Sequence, residues 1–347
     1  MKKKKLLNFI VTLFLLFQLH TWAESGKIAP RLLFEKQAKA KNELRAVREF
    51  ALDNNQNIYI FDYMSNHIYK FDQQGRLITR FGRQGKGEKD FKHLTAIEVQ
   101  QGKLMALDSI ALFTFDLKGN FIARQSFAAE VLCEFPKILG NYYFMGEQIV
   151  SKELKKVLTL RNQKGEEIRR LDSYELKDYF PDLEEGKDFF LNDTYARFYL
   201  YDSLEGGSVI WAASDNYCLS KVQDNKSLVW LKGRGTPVPF PQDQQKKMAA
   251  KRDAIRKNMP SLHMYVPTVY PLIQKLFVGE DEVWIFLMSQ ERKGLVRYSA
   301  TGEEIGFYTL EADFDSLKAR IQIHNKKLYF LVPERQAFKM YITPVPK

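Results

Sequence analysis

Phe71-Asp72-Gln73-Gln74-Gly75-Arg76-Leu77-Ile78 decides the fold, because its pattern returns as Phe115-Asp116-Leu117-Lys118-Gly119-Asn120-Phe121-Ile122. In each stretch a polar, glycine-bearing turn separates two apolar-alternating runs, the pattern of a hairpin. Weaker copies span 161–168, turning at Gly165, and 298–305, turning at Gly302. A degraded copy, 221–228, puts Asn225 where the glycine should be. Asparagine is the next residue able to enter the left-handed region cheaply, so the exchange keeps the turn.

Outward from the first copy, Asn57-Ile58-Tyr59-Ile60-Phe61-Asp62 precedes His67-Ile68-Tyr69-Lys70-Phe71-Asp72, and 103–108 precedes 111–116 in the same way. Period-two alternation rich in aromatic and β-branched residues predicts strands, here near 47–52, 57–62, 67–72 and 76–81. The five turn positions lie 44, 46, 60 and 77 residues apart. A propeller blade takes roughly 40–50 residues, so the two longer gaps predict insertions, about 173–191 and 233–267. The last segment, 317–345, holds three strand-like runs (319–324, 327–332 and 338–345), one short of a blade. The N-terminal Ile28-Ala29-Pro30-Arg31-Leu32-Leu33-Phe34 is a strand without a blade of its own. Joining them closes the ring and removes the unpaired edges of an open one. The expectation is an all-β chain: a six-bladed β-propeller of four-stranded antiparallel blades over 24–347, closed by the N-terminal strand, with one helical insertion.

The 347 residues are 45% hydrophobic and 14% aromatic, enough apolar material for a core and too much for a disordered chain. Residues 1–23 place Lys2 to Lys5 before an apolar run and end Thr21-Trp22-Ala23, the order of a secretory signal peptide. Its removal takes four lysines, so the formal charge falls from +11 to +7. The chain is therefore expected to be exported, periplasmic or extracellular, not membrane-spanning after cleavage, and monomeric. Export and strand-borne aromatics argue against a nucleic-acid partner.

Asp53-Asn54-Asn55-Gln56-Asn57-Ile58-Tyr59-Ile60, Ile68-Tyr69-Lys70-Phe71-Asp72, Gly75 and Phe81-Gly82-Arg83-Gln84-Gly85-Lys86-Gly87 together resemble an NHL repeat. The layout is similar to secreted bacterial six-bladed propellers, NHL-like or TolB-like. Pro260, Pro267 and Val283-Trp284-Ile285 match that group where a helical insertion precedes a tryptophan-bearing strand. The resemblance implies the fold and leaves the chemistry open.

No nucleophile elbow or phosphate-binding loop is present, since Gly82–Gly87 lacks the Gly-Lys-Ser/Thr ending. His67, His93, His263 and His324 have no ligand spacing, and no cofactor is expected. Asp62, Asp108 and Glu280 sit at strand ends, where carboxylates cap turns. Cys133 and Cys218 form an even pair in an oxidising compartment, in neighbouring blades, and are read as two small hydrophobes rather than a disulfide. In 233–267, residues 242–258 predict a helix, with Asp243 in its first turn and Pro260 beyond its end. Met248, Ile255 and Met259 share one face. Another carries Lys246, Lys247, Lys251, Arg252, Arg256 and Lys257 against Asp243 and Asp253. With Arg234, His263 and Tyr265 these form the candidate binding surface, for an acidic protein or glycan. The alternative is a lactonase-like hydrolase or lyase holding calcium or zinc in the channel.

Overall fold

The repeat hairpins assemble as the alternation requires. The computed structural model describes residues 24–37, 44, 46–108, 111–126, 131–133, 137–139, 142–149, 154–162, 164, 166–180, 189–190, 197–204, 208–223, 226–335 and 337–347. The signal-peptide reading of 1–23 and the turn positions Gly165 and Asn225 lie outside them.

Among the described residues there are six sheets of four or five strands and one two-stranded pair. Blade 1 runs Val47–Leu52, Ile58–Asp62, His67–Phe71 and Leu77–Phe81, the four strands expected from the alternation. Blade 2 runs Leu94–Gln100, Lys103–Asp108, Ala111–Phe115 and Phe121–Ser126. In blade 3 the inner strand is two short pieces, Val131–Cys133 and Lys137–Leu139, both antiparallel to Tyr142–Ile149. Blade 4 begins at Tyr199–Leu204, blade 5 at Ile273–Val278 and blade 6 at Arg320–His324. Inner strands of successive blades touch from 3 through 6, and blade 1 touches both 6 and 2.

The ring closes through the N-terminus, with one correction to the single strand expected there. Glu24–Ile28 adds in parallel to the outer edge of blade 5, beside Glu304–Leu310. Arg31–Gln37 then pairs antiparallel with Ala337–Pro344 as the fourth strand of blade 6. Pro30, with no amide hydrogen and a fixed φ, sits where the chain leaves one blade for the next.

The core lies between blades. Phe34, Phe338 and Met340 of blade 6 pack with Phe50, Ile60 and Phe71 of blade 1. Phe61 and Ile68 of blade 1 pack with Phe91, Leu104 and Phe113 at blade 2. Aromatic rings fill these sheet-on-sheet gaps, with Phe91 and Phe113 edge-to-face at 4.9 Å.

The turn glycines serve these interfaces as well as the turns. Gly75 and Gly119 have φ of +73° and +93°, and Asp72 and Asp116, three residues earlier, accept two backbone amides each. A Cβ at Gly75 would stand 2.6 Å from the ring of Phe34, in the outer strand of blade 6. One at Gly119 would stand 2.6 Å from Phe81, in the outer strand of blade 1. Each turn thus receives an aromatic ring from the preceding blade. Gly119→Ala should lower stability by about 2–3 kcal/mol, since left-handed strain and overpacking combine. Denaturant unfolding measures it, and an unchanged midpoint would contradict this packing.

Cys218 is free and partly exposed, and the side chain of Cys133 lies outside the described residues. Asp62 caps its own turn by accepting the Met64 amide and also takes the Ala46 amide, whereas Asp108 accepts the amides of Lys92 and His93 in the incoming connection from blade 1.

Candidate functional site

Each blade's inner strand begins on one ring face, so every outer-to-inner connection crosses that face. The glycine-rich connection is one of them, organised by Asp90, which takes Arg83 at 2.7 Å and the Gly87 amide at 3.1 Å. The expected helix is another: it spans Gln242–Asn258, between the outer strand of blade 4 and the inner strand of blade 5. Phe189–Phe190, from the other insertion, pairs in parallel with Leu262–His263. The two insertions therefore share a backbone ladder, which the sequence patterns did not reveal.

The helix lies on the surface with no buried residue. Met248 packs against Phe240, Tyr270 and Met288. Met259 is 57% exposed, so the expected apolar stripe is only partly covered. Lys246, Lys247, Lys251 and Lys257 are exposed, as is Arg234, while Arg252 and Arg256 are half-buried. Two of the cations meet the helix's own carboxylates, Lys247 with Asp243 at 3.8 Å and Arg252 with Asp253 at 2.9 Å. His263 and Tyr265 do not join this open surface. His263 is buried with Nδ1 3.3 Å from Arg256 Nη2, and Tyr265 packs edge-on against Tyr179 and Phe180.

The ring axis holds a cavity of about 480 Å³, lined by the inner strands of all six blades. Four charged side chains line it, Glu49, Glu98, Lys137 and Asp202, and two more, Lys275 and Arg320, stand on the inner strands of blades 5 and 6 outside its lining, so that each blade contributes one of the six. Their positions along the inner strands sort them into two tiers. Nearer the loop face, Arg320 opens its strand, and Glu49 and Lys275 are each third in theirs. Arg320 Nε lies 2.9 Å from Glu49 Oε1, and Lys275 Nζ donates to the Leu317 carbonyl at 2.9 Å. Deeper, Lys137 bridges Glu98 of blade 2 and Asp202 of blade 4, the latter at 2.8 Å. Asp202 Oδ2 also accepts the Val278 amide at 2.9 Å, tying blade 4 to blade 5.

Crowding shapes the titration of these groups. Burial pushes the Glu49 carboxyl upward against the pull of Arg320. Burial, with Asp202 nearby, raises Glu98 against Lys137. Burial opposes the Lys137 charge too, but Asp202 and Glu98 outweigh it and hold the ammonium above its usual range. Lys275 moves the other way: burial first, then Arg320, bring it down to about 8. His324, also at the channel wall, is lowered mainly by burial.

Sequence reading missed all six charges. The signal was there in weak form, since each blade places at least one charged residue in its inner strand. Among the described residues no group of three or more His, Cys, Asp or Glu side chains is placed to hold a metal ion. The channel carboxylates face cations instead.

Residues 39–195, which span blades 1 to 3, match a family described as 6-bladed beta-propeller. No curated protein matches the chain. Among solved structures it resembles a Bacteroides fragilis protein described as exported, at 11% identity and TM-score 0.52, covering 92% of this chain and 98% of that one. A virginiamycin B lyase from Staphylococcus aureus aligns at 10% identity and TM-score 0.44, over 89% of this chain and 99% of that one. The calcium-binding protein regucalcin from Agrobacterium tumefaciens aligns at 10% identity and TM-score 0.43, over 93% and 96%. At such identities the likeness is one of fold. With six blades around one axis and that family's pattern over the first three, the chain is a six-bladed β-propeller.

Proposed function

We propose that this propeller is an exported binding protein that engages an acidic glycan through its loop face, with the 242–258 helix as the contact. The observation that carries this reading is the helix itself: no buried residue, and six cations against two carboxylates. Its lysines are exposed, and residues 242–258 include none of the aromatic anchors on which a protein partner usually depends. A flexible polyanion needs no such anchor, only a matching field. The signal-like segment 1–23 supports export, which would place the protein among envelope or extracellular glycans.

The test uses residues 24–347 and polygalacturonate, with dextran as the neutral control. Binding should be salt-sensitive, because exposed charges are screened within about 10 Å at 0.1 M salt. Replacing Lys246, Lys247, Lys251 and Lys257 together with glutamine should weaken it about tenfold or more at low salt, given a few tenths of a kcal/mol or more per charge. Equal binding by this variant, or equal binding of dextran, would sink the proposal.

A further inference from the structure

The cavity lining carries more negative charge than positive. Three carboxylates line it, Glu49, Glu98 and Asp202, against one ammonium, Lys137. Glu49 has a partner from outside the lining, since Arg320 Nε lies 2.9 Å from its Oε1. Glu98 and Asp202 share Lys137, and among the described residues no second cation is in ion-pair contact with either. His324, at the same wall, is lowered by burial and brings no charge at neutral pH. Two carboxylates on one cation keep one negative charge, which is costly in a partly buried setting unless something offsets it. Burial accordingly raises the Glu98 carboxyl; Lys137 opposes the rise without cancelling it, and Asp202 adds to it.

The geometry leaves these two carboxylates open to the cavity. The Lys137 side chain is 11% exposed, Glu98 and Asp202 each keep 21%, and all three line the same space. Asp202 is held in place by the Val278 amide on Oδ2 at 2.9 Å, and by the Ser203 amide and Lys137 on Oδ1, both at 2.8 Å. Glu98 reaches the cavity from blade 2 and Asp202 from blade 4, with the Lys137 cation between them. The walls include Leu52, Ile97, Val99, Leu276 and Ile321, which suit an organic body, and the volume of about 480 Å³ suits a small molecule. Toward the loop face Arg320 and Lys275 stand with Glu49 alone, a balance that would repel a second cationic end.

We propose that Glu98 and Asp202 bind the ammonium group of a small organic monocation in the channel, with its apolar body along the inner strands. An ammonium brings three donors and no acceptor, the complement of two carboxylates. One surplus negative charge favours a monoamine over a diamine. Among the described residues no group of three or more His, Cys, Asp or Glu is placed to hold a metal ion, so an organic cation fits this lining better than calcium does. The site is independent of the helix surface.

The probe is n-butylammonium, titrated by calorimetry at pH 7 and constant ionic strength, with n-pentanol as its neutral isostere and putrescine and calcium chloride as competitors. The amine should saturate, and n-pentanol should bind about tenfold or more weakly. Glu98→Gln keeps the shape of the side chain and removes its charge. It should lose about tenfold or more in affinity for the amine, bind n-pentanol like the parent, and keep a native circular dichroism spectrum. A merely structural role of Glu98 would move both ligands together. The four-lysine helix variant should bind the amine like the parent, so failure here is separate from failure of the glycan reading. The inference is overturned if the amine does not saturate, if Glu98→Gln binds it as well as the parent, or if putrescine or calcium binds more tightly. Should Glu98→Gln not fold, equal affinity of the parent for n-pentanol and n-butylammonium overturns it equally.

Discussion

A chain lacking residues 24–37 should lose its cooperative thermal transition and aggregate. Those residues supply the outer strand of blade 6 and an added strand on blade 5. Phe34 goes with them, and with it a ring that packs against Phe71 at 6.2 Å and Phe338 at 6.0 Å and seats on Gly75. Burial of one phenylalanine is worth about 3–5 kcal/mol by truncation, against a total stability of about 5–15 kcal/mol for a typical domain. The deletion also leaves Ala337–Pro344 as an exposed edge, which invites intermolecular pairing. Phe34→Ala alone should keep the fold and cost about 3 kcal/mol, separating the core contribution from that of the strand. Scanning calorimetry with light scattering measures both. A truncated protein that melts like the parent would mean that the ring does not close through its N-terminus.

The second large effect is expected at Lys137. Lys137→Met keeps much of the volume but leaves Glu98 and Asp202 facing each other without their shared cation. Breaking a buried charge network by removing one partner costs about 3–5 kcal/mol. The pH dependence identifies the cause. Burial already raises Glu98, and losing Lys137 removes the charge that opposes this rise. A carboxyl whose folded pKa exceeds its unfolded value contributes stability below the unfolded pKa and loses it as pH rises through the folded one. The variant should therefore be least stable near neutral pH and recover on acidification toward pH 5. Urea midpoints at a series of pH values measure this. A deficit that does not change with pH would point to lost packing instead.

Much of the ring was legible because its instructions are local. Asp72 with Gly75 and Asp116 with Gly119 specify turns within a few residues, and Ile58–Asp62 and His67–Phe71 alternate as strands must. The 242–258 helix was legible from its flanking prolines and composition. The channel was not. Glu98 and Lys137 are 39 residues apart, and Lys275 and Arg320 are 45 apart, so only closure of the ring makes neighbours of them. In one dimension each looks like an ordinary solvated strand position. The same holds for the Phe189–Phe190 pairing with Leu262–His263, whose short partners carry no alternation to read. His263 and Tyr265 were grouped with the basic surface on proximity in sequence, whereas packing assigns them to the interior of the insertion.

The closed ring sets Lys275 on the first strand of blade 5, within the fields of Arg320 and Glu49 and out of ion-pair contact with the described carboxylates. Its most direct test is the titration of Lys275 by the 13Cε resonance in the ligand-free protein, assigned by loss of the peak in Lys275→Met. A midpoint near 8 is expected, because burial and Arg320 both oppose the charged amine. A midpoint at or above the ordinary lysine value of 10.5 would contradict it, showing an amine in open water or held by a carboxylate.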